Sequence, residues 1–343
     1  MVAVAFFRRT RPVPDNVVTH PISDFWDWWR ATGHSVDPHE ASALVNQLDQ
    51  RVRAINDDLT WEFGAGQDAR HRLTVSANGA PAIRPIAERW LRAAPPRDET
   101  WEFRSSKEAE PDALSNTLEI GGAILELARM RFGVTSDPDR LRLHVSVYHP
   151  LFADMSASMR TQVAFLVLDW LLGEDDVERW VGKVDAVVDT PPAVVDGGEL
   201  ITAAAALARE GDIDEWAVAQ WHDENGNRGL ASYRRALRWL DYPTLDEHHA
   251  LTMSFASRED GLPLGSDELD TLRALEDELG QHLGASGVVV GHQTATGRRT
   301  FHVYTDSEDQ NVAEALRVWS GKEGLSIESS DDAGWSLVRH LIG

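Results

Sequence analysis

A chain of 343 residues exceeds what one hydrophobic core ordinarily serves, and a hydrophobic fraction of 42% is that of a folded protein, so two domains are expected and disorder is excluded. No cysteine is present, which removes disulfides, cysteine nucleophiles and thiolate metal sites together. Acids outnumber bases 56 to 33 for a net charge of −23, a field that repels phosphate backbones, so no nucleic-acid partner is expected.

The same charge reads either as a solubilising surface or as a field that steers a basic protein partner. No run approaches eighteen uninterrupted apolar residues, so no membrane span is expected. The opening MVAVAFFRRTRPVPD places arginines after a short apolar run, the reverse of a signal peptide, and a cytoplasmic location is expected.

In chain order, SDFWDWWR reads as a helix capped by Ser23. Asp37, Pro38 and Glu40 then form an acidic capping box before a helix with Leu44, Leu48, Val52 and Ile55 on one face. Strands are expected at 59–63, 71–77 and 100–103, with the helix IRPIAERWLRAA before the last. ILELARMRFGV and DRLRLHVSVYHP read as strands turning near TSDPDR. The helix SASMRTQVAFLVLDWLL turns Met159, Val163, Val167 and Trp170 inward, and VERWVGKV follows. These elements make an N-terminal α+β domain over 1–190. DTPPAVVDGG begins a linker and bridging helix over 191–211.

The second domain, 212–343, opens with the strand WAVAQWH and with GLASYRRALRWL, a helix or a strand–helix transition. LTMSFAS, SDELDTLRALEDELGQHLG, the two halves of VVVGHQTATGRRTFHVYTD, NVAEALRVWSG and LSIESS then run β-α-β-β-α-β. That order belongs to a ferredoxin-like fold: an antiparallel sheet with both helices on one face.

The hairpin at 288–306 carries two histidines. A two-residue turn at Thr296-Gly297 sets Ala295 against Arg298, His292 against Phe301 and Gly291 against His302. One face then collects Val288, Val290, His292, Phe301 and Val303; the other collects Val289, Gly291, Gln293, Thr300, His302 and Tyr304. The histidines point to opposite faces and cannot form a couple. The face with Gln293, His302 and Tyr304 is small and polar. It either packs on the first domain, receives a protein partner or holds a small molecule. Trp26, Trp28 and Trp29 span too much of a helix for one buried stripe, so Trp28 or Trp29 is expected at a domain or partner interface.

Catalytic motifs are missing from the sequence: no nucleophile elbow, phosphate loop, dinucleotide fingerprint or zinc helix occurs. HDENGNRG departs from a calcium loop at Arg228 and Arg234 and reads as a polar turn. His248-His249 reads as a loop pair. Arg142, His144 and Tyr148 share a strand face opposite His149, with no carboxylate tied to them. No catalytic residue, cofactor site or metal site is assigned.

From 212 onward the order of features resembles the bacterial family known as domain of unknown function 695. WAVAQWHDENG, RALRWLDYP, GLP at 261–263, LEDEL, the hairpin and DDAGW at 331–335 carry it, chiefly through Gly261, Leu262, Pro263, Thr296, Gly297, Tyr304, Asp332 and Trp335. The resemblance implies a domain with no assigned activity. Its general shape is similar to the regulators of ribonuclease activity B, small acidic ferredoxin-like proteins that inhibit an endoribonuclease by binding it. The expected function is non-catalytic binding or regulation, in the manner of an inhibitor or immunity protein. The alternative is an enzyme or small-molecule binder with its site in the interdomain cleft.

Overall fold

The computed structural model describes residues 20–38 and 43–342, which form a mixture of helices and strands. α1 (Pro21–Ala31) is capped by His20, whose imidazole accepts from the Ile22 N–H, with Pro21 at the first helical position. Ser23, the expected cap, lies inside the helix. α2 is described from Ala43 (Ala43–Ile55), and the proposed capping partner Glu40 lies outside the described residues. β1 (Thr60–Ala65) pairs antiparallel with β2 (His71–Ser76). α3 (Arg84–Arg92) then crosses over to β3 (Trp101–Arg104), which lies parallel to β2.

This layer buries all three clustered tryptophans in its own core, where Trp28 or Trp29 had been expected at a domain or partner interface. Trp26 is 1%, Trp28 8% and Trp29 2% exposed. The helix is enclosed on more than one side, so a single stripe is not required. Trp26 stacks on Trp90 of α3, and Trp29 meets Trp101 and Phe103 of β3. Trp28 donates to Gln47 of α2 under the Arg51 guanidinium. The chain also folds back at Gly33, where a Cβ would stand 2.7 Å from the Trp28 ring.

A short hairpin, β4 (Thr117–Ile120) and β5 (Ala123–Glu126), precedes the expected hairpin of β6 (Arg131–Asp137) and β7 (Arg142–Tyr148). α4 (Ala157–Leu172) is capped by Ser156 and buries Val163, Val167 and Leu171, while Met159 and Trp170 lie at the rim of that stripe. α5 (Glu174–Trp180) leads into β8 (Val181–Val187). The stretch read as linker is instead built into this layer. β9 (Val194–Val195) pairs with β6, and α6 (Gly197–Glu210), closed by an Asp196–Glu199 capping box, buries Leu200, Ala204 and Leu207 in the same core. The sheet order is β8-β7-β6-β9.

The remaining strands form one sheet of six. β10 (Trp216–His222) and β11 (Arg228–Arg234) make a hairpin, so GLASYRRALRWL holds a strand and no α-helix. β12 (Glu247–Ser254), α7 (Ser266–Leu283), β13 (Gly287–Ala295), β14 (Arg298–Thr305), α8 (Gln310–Lys322) and β15 (Ser326–Asp331) follow, then α9 (Arg339–Ile342). The sheet order is β10-β11-β13-β14-β12-β15, with every neighbouring pair antiparallel. α7 and α8 cover one face through Leu275, Leu279, Leu283 and Leu316. The segment 237–245 and the closing stretch Trp335–Leu341 cover the other. Among the described residues no helix is long and apolar enough to cross a membrane.

Polar bridges join the layers. Glu174, buried at the start of α5, accepts from the Ser76 hydroxyl at 2.5 Å and from the Gly79 and Lys107 N–H groups. Arg89 of α3 reaches Asp246 at 3.1 Å and Asp306 at 2.5 Å, filling the junction of the first and last layers with ion pairs.

Candidate functional site

Thr296 and Gly297 both take positive φ, 51° and 75°, as a type I′ turn requires. The expected pairs Ala295–Arg298, His292–Phe301 and Gly291–His302 all form. Beyond them the register shifts at a bulge between Val289 and Gly291. Val288 therefore opposes Tyr304 and Val289 opposes Val303, so Val288 and Val290 join the Tyr304 side and Val289 goes under the helices. That reverses the expected placement of the three valines. Gly291 is needed at the bulge, because a Cβ there would stand 2.6 Å from the Ser232 carbonyl oxygen.

The two histidines do lie on opposite faces, and the faces differ. His302 meets His248 of β12, Nδ1 to Nε2 at 3.0 Å, with the rings stacked. His248-His249 is thus a strand pair rather than a loop pair, and its members diverge. His249 bonds Thr305 and Ser329 among the helix-side residues. Beside His248, Tyr304 donates to Asp332 at 2.6 Å and stacks on Trp335 at 4.4 Å. Asp332 also accepts from the Ser336 hydroxyl and the Ser336 and Leu337 N–H groups. Burial opposes its ionisation, yet these bonds hold it below the usual carboxylate range. Burial, reinforced by His248, pushes His302 down to about 3.

His302 and Tyr304 were expected on a face that packs on the first domain, receives a partner or holds a small molecule. They are 7% and 0% exposed, sealed by the closing stretch of their own chain. Gln293, nearer the turn, is half-buried and bonded to His340. Of the expected interaction residues, Trp28 and Trp29 lie in the first layer's core, so the five do not form one surface. The other histidines singled out in sequence bond the backbone, although His144 also has Asp137 at 3.9 Å, a carboxylate the sequence did not tie to it. His144 accepts the Lys183 N–H where the β7–β8 ladder is irregular, and His149 caps the turn after β7 while touching the Glu126 carbonyl.

The helix face carries the open site. One cross-strand row runs Val218, Ser232, His292, Phe301, Leu251, Ile327 from β10 to β15. Phe301 and Leu251 are fully covered, whereas Val218 is 71% exposed, because the row outruns the helices. The β10–β11 hairpin widens the sheet beyond α7 and leaves a groove of about 900 Å³. Its floor includes Trp216, Val218, Ser232, His292, Thr294 and Arg299, and Arg273, Glu276 and Asp277 of α7 line its wall.

Three features give the groove its chemistry. His292 Nδ1 lies 3.1 Å from Glu276. The Arg234 guanidinium sits over Trp216. Arg299, 5% exposed, bonds through Nε to Thr294 and has no ion-pair partner among the described residues, while burial lowers its affinity for its proton. Ser232 stands opposite His292 but makes no hydrogen bond to it among the described residues. It also lies mid-strand, where ladder pairing on both sides occupies the backbone donors that an oxyanion would need.

Sequence reasoning missed this groove, because its outer floor depends on β11, which was partly read as helix. The residues that carried the family resemblance meet in pairs. Gly297 donates to the Gly261 carbonyl at 2.8 Å, and Tyr304 meets Asp332 and Trp335. Both pairings lock the fold. Residues 221–341 match the model of a family described as a family of unknown function, DUF695, a span from the end of β10 into α9. No curated protein and no solved structure matches the chain.

Proposed function

We propose that the protein is a non-catalytic binding or regulatory protein that acts by contact with another protein, and that the groove beside α7 receives a segment of that partner. The exposure of Trp216 and Val218 on the groove floor carries this reading. An apolar centre bounded by charged side chains is how protein interfaces are built, and tryptophan is a favoured anchor. Arg299 supplies guanidinium donors for main-chain carbonyls of the docked segment. The net charge of −23 favours a basic partner by long-range steering, as in an inhibitor or immunity protein.

We read residues 212–343 as a ferredoxin-like domain widened by the β10–β11 hairpin, from the strand order and the β-α-β-β-α-β run. At the Arg89 junction the alternative of a site between domains draws no support, since that junction is filled by its own ion pairs.

The test is selection of binding peptides from a displayed random library, followed by titration against the parent protein, Trp216→Ala and Val218→Lys. The expected result is apolar segments flanked by cationic residues, bound at least ~10-fold more weakly by each variant and weakened by salt. Peptides that bind all three proteins equally, or a library that yields none, would overturn the assignment.

A further inference from the structure

We propose that the junction of the β6–β7 turn, the end of β11 and α9 binds a small phosphate-bearing anion. A cavity of about 600 Å³ opens there, lined by Arg140, Tyr233, Arg235, Ser336, Arg339 and His340, with Asp139 the carboxylate among its described lining residues. That volume suits a ligand of nucleotide size. The lining is cationic in a chain whose net charge is −23.

Part of the positive charge is not neutralised from within. The side chains of Arg140 and Arg339 make no ion pair among the described residues, while Arg235 holds Glu215 at 3.1 Å. Behind them stand Arg142, Arg179 and Arg238. Arg142 donates to the Glu178 and Arg179 carbonyls at the end of α5, and Arg238 to the carbonyls of Arg140, Arg235 and Leu237. Asp241 pairs with Arg179, and Glu178 accepts the Trp239 indole while its charge also acts on Arg142 and Arg238.

Like charges are felt there. Burial, with Arg142 and Arg179 alongside, pushes Arg238 down to about 10; burial, with Arg339 and Arg179 adding to it, lowers Arg142. An anion relieves that repulsion. Guanidinium forks match phosphate oxygens, and the hydroxyls of Ser336 and Tyr233 add neutral donors. Because Arg140 belongs to the second layer and Arg339 to the chain's last helix, one ligand bridges both. Its binding therefore stabilises their contact.

The test uses the full chain in calorimetric titration and thermal melting, with inorganic pyrophosphate and 5′-AMP as probes. Citrate distinguishes phosphate from carboxylate chemistry, and sodium chloride of equal ionic strength serves as the blank. The expected result is one-to-one binding of a phosphate probe with a raised melting temperature. Affinity falls at least ~10-fold in Arg140→Gln/Arg339→Gln, whose unliganded melting temperature is unchanged or higher. Arg339→Lys, which keeps the charge and loses the fork, weakens binding less, and Arg258→Gln, at a distant exposed pair, leaves it intact. The proposal fails if neither phosphate probe binds below ~10 mM, if citrate or chloride acts equally, or if both arginine variants bind like the parent protein.

Discussion

The two faces of the β13–β14 hairpin carry the same residue type to opposite ends. On one face His302 is sealed with His248, Tyr304 and Asp332 beneath Trp335, and every neighbour is another part of the same chain. On the other, His292 pairs with Glu276 at the edge of a groove whose outer floor nothing in the described chain covers. A histidine in a strand therefore says little about function until it is known what lies over its face. The closed face uses its polar groups to specify packing; the open face leaves Trp216 and Val218 exposed beside them.

The sharpest way to break the closed face is to remove its lid. Trp335 is 1% exposed, stacks on Tyr304 and donates its indole N–H to the Leu245 carbonyl. Trp335→Ala is expected to cost about 3–5 kcal/mol in urea denaturation, the range for truncating a buried aromatic. A loss below ~1 kcal/mol would mean that the closing stretch contributes little to the seal.

Acid should act on that face through His248 and His302, and on the helix-covered face through His249. His248, His249 and His302 are all held low by burial, His249 at about 4 and His302 at about 3. As pH falls below ~6.5 the unfolded chain takes up these protons before the folded one does, so stability present above that pH is lost towards pH 4. Asp169, raised to about 6 by burial, works in the opposite sense, as do Glu62, Asp176 and Glu247, which burial also raises. The net expectation is a loss on the order of 3 kcal/mol between pH 7 and pH 4. The slope should flatten in His248→Phe/His302→Leu. An unchanged slope in that variant would place the acid sensitivity elsewhere.

Much of this was legible in the residues. The Thr-Gly turn set the register of the hairpin's first five pairs, from Ala295–Arg298 to Gly291–His302, because a type I′ turn leaves no freedom in pairing. The bulge was not legible, since an extra residue in mid-strand leaves only Gly291 as a trace. Its consequence is large: Val288, Val289 and Val290 change faces. Trp28 and Trp29 were expected at an interface because one helix stripe cannot hold them; α2 and the Gly33 turn enclose the helix from further sides, which no local pattern reveals. Tyr304, Asp332 and Trp335 stood out as family features, yet nothing in their spacing showed that they seal a face. The groove depended on how far the sheet outruns α7, a property of tertiary width.

The bulge itself can be tested. Gly291→Ala puts a methyl group where the Ser232 carbonyl stands 2.6 Å away, and backbone there cannot move cheaply. About 2 kcal/mol of destabilisation is expected. The same denaturation experiment on Ala295→Gly, a half-buried site near the turn, should show a loss of only about 1 kcal/mol. Equal effects at the two sites would mean that β11 and β13 separate readily.

The open face yields the smallest effect on stability, and that smallness is its signature. Val218 is 71% exposed on an edge strand, so Val218→Lys removes little buried area and adds the residue type that natural edges favour. The denaturation midpoint should stay within about 0.5 kcal/mol of the parent protein. If the groove receives a partner as proposed, however, lysine puts a long cation where the partner's apolar side chain must settle and repels a basic partner's approach. A variant that folds like the parent and no longer binds would separate the two faces by function. A marked loss of stability would show instead that Val218 already has a packing partner, and the contrast between the faces would narrow to a difference in depth.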